Sequence, residues 1–310
     1  MRATAQQPQR AADGAPLHYE RHRPEQTTLY RLVQQHAASF IAHIARERRA
    51  DKPSVQDSAR WDTLVVAPEI REALQDLAFA IENHSPLQQQ GFNLPRGVLL
   101  FGPPGTGKTQ IARTLANEAK CHFIAASTAD LKAGFVGQSG QRVKALFDSA
   151  RAQAPTILFL DEIDALAADR SAADSFVQEA VTQLLQEMDG VRDQRDTPVI
   201  VLAATNRKDV LDPALLSRFR DCYEVALPDA ALRQALAEQL ATTPPFTAES
   251  RALAIAHVRD SEGLSHRDIG ALFDRWKATA LREARSREGV RGLDALVVGT
   301  EVIAASRFTA

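Results

Sequence analysis

Cysteine is nearly missing: Cys121 and Cys222 are the only two in 310 residues. They stand far apart and match no metal-ligand spacing. That excludes a thiolate zinc centre and fits two buried thiols in a reducing compartment. No apolar run approaches the roughly 20 residues needed to cross a bilayer. The N-terminus lacks the apolar stretch of a secretory signal. Together these absences predict a cytoplasmic protein without membrane contact. Charge is almost balanced, with 37 Lys/Arg against 39 Asp/Glu and a net −2. No global electrostatic case exists for nucleic acid or anionic lipid. His18 and His22 are four apart, but Tyr19 stands where a zinc-protease helix needs Glu, so no metal site is expected there. No internal repeat is visible.

Composition is otherwise that of an ordinary globular protein, 45% apolar and 25% charged. Residues 1–26 are rich in Gln, Arg, Pro and Ala without an apolar period and read as a disordered tail. From Thr27, the residues Leu29, Leu32, Val33, Phe40, Ile41 and Ile44 recur at helical spacing, ending in Arg46-Glu47-Arg48-Arg49. Residues 1–60 hold ten Lys/Arg and six Asp/Glu, a local +4. The bland reading is a helix packed on its own domain. The functional reading is partner docking or nucleic-acid contact.

From Trp61 onward, apolar strands alternate with helical patterns. Strands are expected at Val98–Phe101, Cys121–Ala125, Ile157–Leu160, Val199–Ala203 and Cys222–Val225. Helices between them predict an α/β fold, a parallel sheet sandwiched by helices on both faces. The strand signal stops after Pro228-Asp229. Residues 230–285 read as helices interrupted near Thr242–Pro245 and at Glu262-Gly263, a smaller helical domain. The expected divisions are thus 1–26, 27–60, 61–229 and 230–310.

Between the first strand and its helix lies Gly102-Pro103-Pro104-Gly105-Thr106-Gly107-Lys108-Thr109. Glycines at these positions let backbone N–H groups turn inward around phosphate oxygens. Lys108 can reach the β- and γ-phosphates, and Thr109 offers a hydroxyl to Mg²⁺. The helix that follows, with Gln110 in its first turn, aims its positive end at the same phosphates. Ile157-Leu158-Phe159-Leu160 runs into Asp161-Glu162, two carboxylates at the ligand edge of a parallel sheet. Asp161 is placed to hold Mg²⁺, and Glu162 to polarise an attacking water. Asn206 follows another strand; on its own it could orient that water or simply suit a turn.

Trp61-Asp62, the glycine-rich loop, Asp161-Glu162-Ile163-Asp164 and Ala204-Thr205-Asn206-Arg207 are followed by Leu211-Asp212-Pro213-Ala214-Leu215-Leu216 and Arg218-Phe219. In this order they resemble the AAA branch of the AAA+ ATPases, the group with proteasomal ATPases, NSF, katanin, spastin and the AAA proteases. The resemblance runs over about 61–285. It implies a P-loop NTPase three-layer αβα sandwich with a helical lid domain, ATP and Mg²⁺ as ligands, and a homo-oligomeric ring, expected to be a hexamer. It implies that Asn206 senses the γ-phosphate. Arg218 becomes a finger reaching the ATP of a neighbouring subunit, so activity depends on assembly.

The resemblance also makes Phe135-Val136-Gly137 a pore loop that grips an extended polypeptide, since an aromatic ring tolerates varied side chains. Without it, Phe135 would read as local core. Asp169–Ser175 resembles a second pore loop. Arg267 stands near the sensor-2 position of other AAA+ branches, where the plain alternative is an exposed helix-start residue. Asp62 lies in the segment that borders adenine in relatives, although their glycine soon after the Asp is absent here. Arg218-Phe219-Arg220-Asp221 departs from the commoner Arg-Phe-Asp-Arg order, which leaves open whether Arg220 is a second finger. No His-Glu-x-x-His follows the ATPase module, so a built-in protease is not expected.

Tyr19–Glu25 and Thr28–His36 resemble the opening of two-tyrosine, IS91-like transposases. The cysteine cluster and His-hydrophobe-His motif of such enzymes are absent, so no transposase activity is inferred. The leading expectation is a ring ATPase that remodels or unfolds a protein substrate. The alternative is a nucleic-acid-associated ATPase linked to a mobile element or replication.

Overall fold

The computed structural model describes residues 59–128, 131, 139–167, 175–190, 197–242, 245–286 and 296–305. The expected N-terminal tail and amphipathic helix, the expected pore loop at 135–137, all of 169–175 but Ser175, and part of the C-terminal segment lie outside them. In chain order, the elements begin with α1 (Pro68–Glu82), α2 (His84–Gln89), β1 (Gly97–Phe101), α3 (Lys108–Glu118), β2 (His122–Ser127), α4 (Ser139–Ala152) and β3 (Thr156–Asp161). Next come α5 (Asp164–Ala167), α6 (Ser175–Gly190), β4 (Val199–Thr205), α7 (Pro213–Leu216) and β5 (Asp221–Glu224). The chain then turns all-helical with α8 (Ala230–Ala241), α9 (Ala248–Asp260), α10 (His266–Ser286) and α11 (Thr300–Ala304).

The five strands form one sheet in the order β2-β3-β4-β1-β5, and every pairing is parallel. Each expected strand is present within a residue or two. Their unbroken apolar runs follow from burial on both faces. Alternate residues serve opposite layers, as the pleat requires. Val98 and Leu100 join Phe159, Ile200 and Leu202 under α1 and α3. Leu99 points the other way, with Leu158, Leu160 and Val201 against Val143, Leu146 and Phe147 of α4 and Leu184 of α6. Each fully buried Leu, Ile or Phe contributes roughly 1.5–3 kcal/mol.

The helices α8 to α11 enclose a separate core. On α10 the buried positions Ile269, Leu272, Phe273, Trp276 and Ala280 repeat at helical spacing. Phe273 and Trp276 meet edge-on at 5.0 Å between ring centroids. Leu296 to Val298 adds one parallel bridge, Val298 to Phe246, and packs into the same cluster. A buried arginine fastens this part to the chain entering it. Arg233 on α8 donates to the carbonyls of Pro228, Val258 and Arg259. Its guanidinium thereby satisfies carbonyls at the end of α9 that have no partner within their own helix.

Candidate nucleotide site

Parallel strands all end at one edge, so loops from β1, β3 and β4 converge there. Between β1 and α3 the backbone takes left-handed values at Gly102 (φ 142°), Gly105 (φ 79°) and Gly107 (φ 92°). A side chain would be strained at each. At Gly102 a Cβ would also lie 2.3 Å from the Val225 carbonyl oxygen. Thr106 is buried and donates its hydroxyl to the Pro103 carbonyl at 3.0 Å, while Pro103 and Pro104 face outward. The loop is thus closed on itself before α3 begins at Lys108.

Lys108 is 8% exposed. Its ammonium donates to the Gly102 and Pro103 carbonyls, both at 2.8 Å. Burial lowers its pKa; the Asp161 and Asp164 carboxylates oppose that, and the Arg267 charge adds to the lowering. The ammonium therefore feels both the carboxylate edge of β3 and the start of α10. Thr109 donates its hydroxyl to Asp161 Oδ2 at 3.0 Å. A hydroxyl and a carboxylate side by side are the hard oxygen donors that Mg²⁺ prefers. The donor set therefore fits a magnesium nucleotide. Gln110 is exposed in the first turn of α3.

Asp161 closes β3, and its Oδ1 accepts the Glu162 N–H at 3.0 Å. Glu162 is exposed and left-handed, with φ 53°. Its carbonyl accepts the Ala165 N–H at 2.9 Å and the hydroxyl of buried Thr128 at 3.0 Å. The next residue, Ile163, donates its N–H to Ala204 on β4 at 3.0 Å. Beyond it, Asp164 accepts the Thr205 hydroxyl at 2.8 Å, and that hydroxyl accepts the Arg207 N–H at 2.9 Å. The exposed Asn206 sits between these two anchored residues. Lys208, just past it, places its ammonium 4.1 Å from the centroid of the Phe101 ring at the end of β1. Sequence reading assigned no role to Thr128, Thr205 or Lys208. Asp164 and Thr205 carried a signal only as members of longer motifs.

The helical part meets this edge through the start of α10. The Arg267 N–H donates to the Gly105 carbonyl at 3.1 Å. His266 Nε2 lies 2.9 Å from the Val65 carbonyl, and burial lowers the imidazole pKa. Ser265 and Asp268 cap the helix reciprocally, with Ser265 N and Oγ donating to the Asp268 carboxylate and Asp268 N donating back to Ser265 Oγ. Those bonds hold the Asp268 carboxyl below its usual range. The Arg267 side chain is exposed. Asp62 occupies an exposed turn 3.9 Å from Arg60, and it is Val65 and Thr63 of that segment whose carbonyls meet His266 and Gln239 of the helical part.

Arg218 lies elsewhere. It precedes β5, whose Asp221 pairs with Val98 near the start of β1. A Cβ on Gly97 would come within 2.6 Å of the Arg218 carbonyl oxygen. Gly102 of the glycine-rich loop is at the other end of that strand, roughly 16 Å away at about 3.3 Å per residue. The guanidinium turns to Asp189 on α6, 2.7 Å away, and donates to the Ser217 hydroxyl at 2.9 Å. Its Nε–H is buried without a partner. Arg218, Arg220 and Arg96 line one cavity of about 860 Å³, together with Met188, Asp189 and Ser217. The structure therefore gathers Lys108, Thr109, Asp161, Glu162 and Asn206 at one edge of the sheet and Arg218 at the other.

Residues 98–227 match the model of the ATPase family associated with various cellular activities (AAA). The ATP-dependent zinc metalloprotease FtsH of Thermus thermophilus is 38% identical over 234 residues, 74% of this chain and 37% of the relative. The proteasome-activating nucleotidase of Methanopyrus kandleri is 39% identical over 230 residues, 70% of this chain and 50% of the relative. The chain thus spans half or less of the length of these curated relatives. Among solved structures, the AAA domain of FIGL-1 superposes with a TM-score of 0.67 at 28% identity, covering 80% of this chain and 82% of that one. The same domain in complex with ADP gives 0.64 at 29% identity, covering 77% and 80%. Among the described residues no helix is long and apolar enough to cross a membrane. With its glycine-rich loop, its strand-end carboxylates and these relatives, the chain belongs to the AAA family of ATPases.

Proposed function

We propose that this AAA ATPase works as a homo-oligomeric ring of six subunits that couples ATP hydrolysis to the remodelling or unfolding of a protein substrate. One observation carries the shared site: β1 separates Arg218 from the phosphate-binding loop by more than an arginine side chain can span. A finger so placed serves a nucleotide only on another copy of the chain. In this reading 61–229 is the ATPase domain, and 230–310 is the lid and C-terminal tail.

Gly102 to Thr109 would wrap the triphosphate, with Gln110 at the helix start and Asp62 and Arg267 bordering the nucleotide. Thr109 and Asp161 would hold Mg²⁺, which would neutralise charge on the phosphate oxygens. Lys108 stabilises charge on the same oxygens. Glu162 takes the proton of the attacking water. Asn206 orients that water against the γ-phosphate. Arg218 from the neighbouring subunit stabilises charge developing in the transition state.

The names of the relatives, a proteasome-activating nucleotidase and an ATP-dependent metalloprotease, support action on proteins. Phe135-Val136-Gly137 would grip the polypeptide. Phe135→Ala is expected to leave basal hydrolysis unchanged and to abolish unfolding of a fluorescent reporter protein. Unfolding at the wild-type rate would sink the protein-threading reading.

Arg267 would act as a sensor of the γ-phosphate. Its charge is felt at Lys108, and its backbone is bonded to the phosphate loop. Arg267→Ala should weaken ATP binding and slow turnover, measured by nucleotide titration and phosphate release. Unchanged values for both would reject the role.

A further inference from the structure

We propose that Thr128 is a positioning residue for hydrolysis, its buried hydroxyl holding the Glu162 carbonyl and so the left-handed backbone that aims the Glu162 carboxylate. The inference rests on the reading of Glu162 as the residue that activates water.

Two non-glycine residues among those described have a positive φ, Lys120 and Glu162. Lys120 stands two residues past α3, where a left-handed residue commonly ends a helix. Glu162 has no such excuse. It directly follows a strand, and a left-handed conformation is unfavourable for a residue with a Cβ. Such a conformation persists only where surrounding bonds over-determine it. Here the N–H of Glu162 is taken by Asp161 Oδ1. Its carbonyl is taken twice, by the Ala165 N–H and by Thr128 Oγ1.

The first two partners are local and belong to any turn of this shape. Thr128 comes from a different strand end. Ser127 pairs with Asp161 in the β2–β3 register, which sets Thr128 beside Glu162 one step beyond the ladder. Thr128 is 1% exposed, so its hydroxyl does not exchange freely with water. Turning the Glu162 peptide toward the right-handed region would break this bond and leave a buried hydroxyl unpaired, which is unfavourable. The hydroxyl thus weights one orientation of the peptide, and with it one direction of the Glu162 side chain. A base misplaced by an ångström loses about a hundredfold in rate. Nucleotide binding draws on Lys108, Thr109 and the loop; the side chains of Lys108 and Thr109 bond to Gly102, Pro103 and Asp161.

The experiment compares Thr128→Val, Thr128→Ala and Thr128→Ser in the full chain, with Glu162→Gln as reference. Val keeps the volume and removes the donor; Ala serves if Val fails to fold; Ser restores the donor. For Val or Ala the expected result is a kcat lower by about 10- to 100-fold, with KM for ATP unchanged and a thermal unfolding midpoint lower by only a few degrees. Ser should recover most of the rate. Wild-type kcat in the Val and Ala proteins, beside an inactive Glu162→Gln, would overturn the proposal alone. So would a Ser variant as slow as Val, since that result points to shape and not to the hydroxyl. Full hydrolysis by Glu162→Gln would instead remove the reading of Glu162 on which the proposal stands.

Discussion

Arg218→Ala is expected to bind ATP as the unaltered chain does and to hydrolyse it about a thousandfold more slowly or worse, the usual worth of an arginine finger. The residue sits at the end of β1 remote from its own phosphate loop, so its loss cannot disturb nucleotide contacts in cis. It leaves Asp189 without its 2.7 Å partner, but that carboxylate is 49% exposed and water can replace the guanidinium. Mixing separates a shared site from a local one. Arg218→Ala and Lys108→Ala proteins are each expected to be inactive alone. In a mixed ring, an intact Lys108 from one faces an intact Arg218 from the other. An equal mixture with random assembly restores about a quarter of the sites, the product of two one-half chances in a head-to-tail ring. Turnover that stays at the level of the separate proteins would show that Arg218 does not act on a neighbour. Full activity of Arg218→Ala alone would remove the finger altogether.

Glu162→Gln carries the second large effect. The substitution preserves size and the left-handed backbone bonds but cannot accept a proton. Hydrolysis should fall by about 10²- to 10⁴-fold, with ATP affinity retained. The protein should then accumulate as an ATP-loaded assembly, visible as a larger species in sedimentation. Because Thr109 and Asp161 keep their 3.0 Å contact, the loss falls on the chemical step and not on binding. Phosphate release at the wild-type rate would contradict the assignment. An assembled but idle ring is also the form in which a bound substrate is best captured and identified.

The strands are legible because each is buried on both faces, so Leu158–Leu160 and Val199–Ala204 appear as plain apolar runs. The phosphate loop is legible because its glycines, lysine and threonine are contiguous and their chemistry is local. The ties between elements are not. Thr128 reaches Glu162 over 34 residues, Asp164 reaches Thr205 over 41, and His266 reaches Val65 over 201. A threonine at a strand end or an aspartate in a short helix carries no local mark of such a partner. Arg233 misleads in the same way. In a helical pattern an arginine reads as solvated, yet here it is 6% exposed and fills the turn around Pro228 and Val258. The missed residues share one property: their roles follow from register and packing, which are set only once the sheet has formed.

The bond from the Arg267 N–H to the Gly105 carbonyl joins two main chains. No side-chain substitution deletes it, short of proline at 267. Gly105 also has no room for a side chain, since a Cβ there would lie 2.6 Å from Ser265 Oγ. Tilting α10 by about an ångström at this point carries the contact out of hydrogen-bond range or drags the loop along. The helical part and the glycine loop are therefore tied by a main-chain bond that substitutions of the Arg267 side chain leave in place.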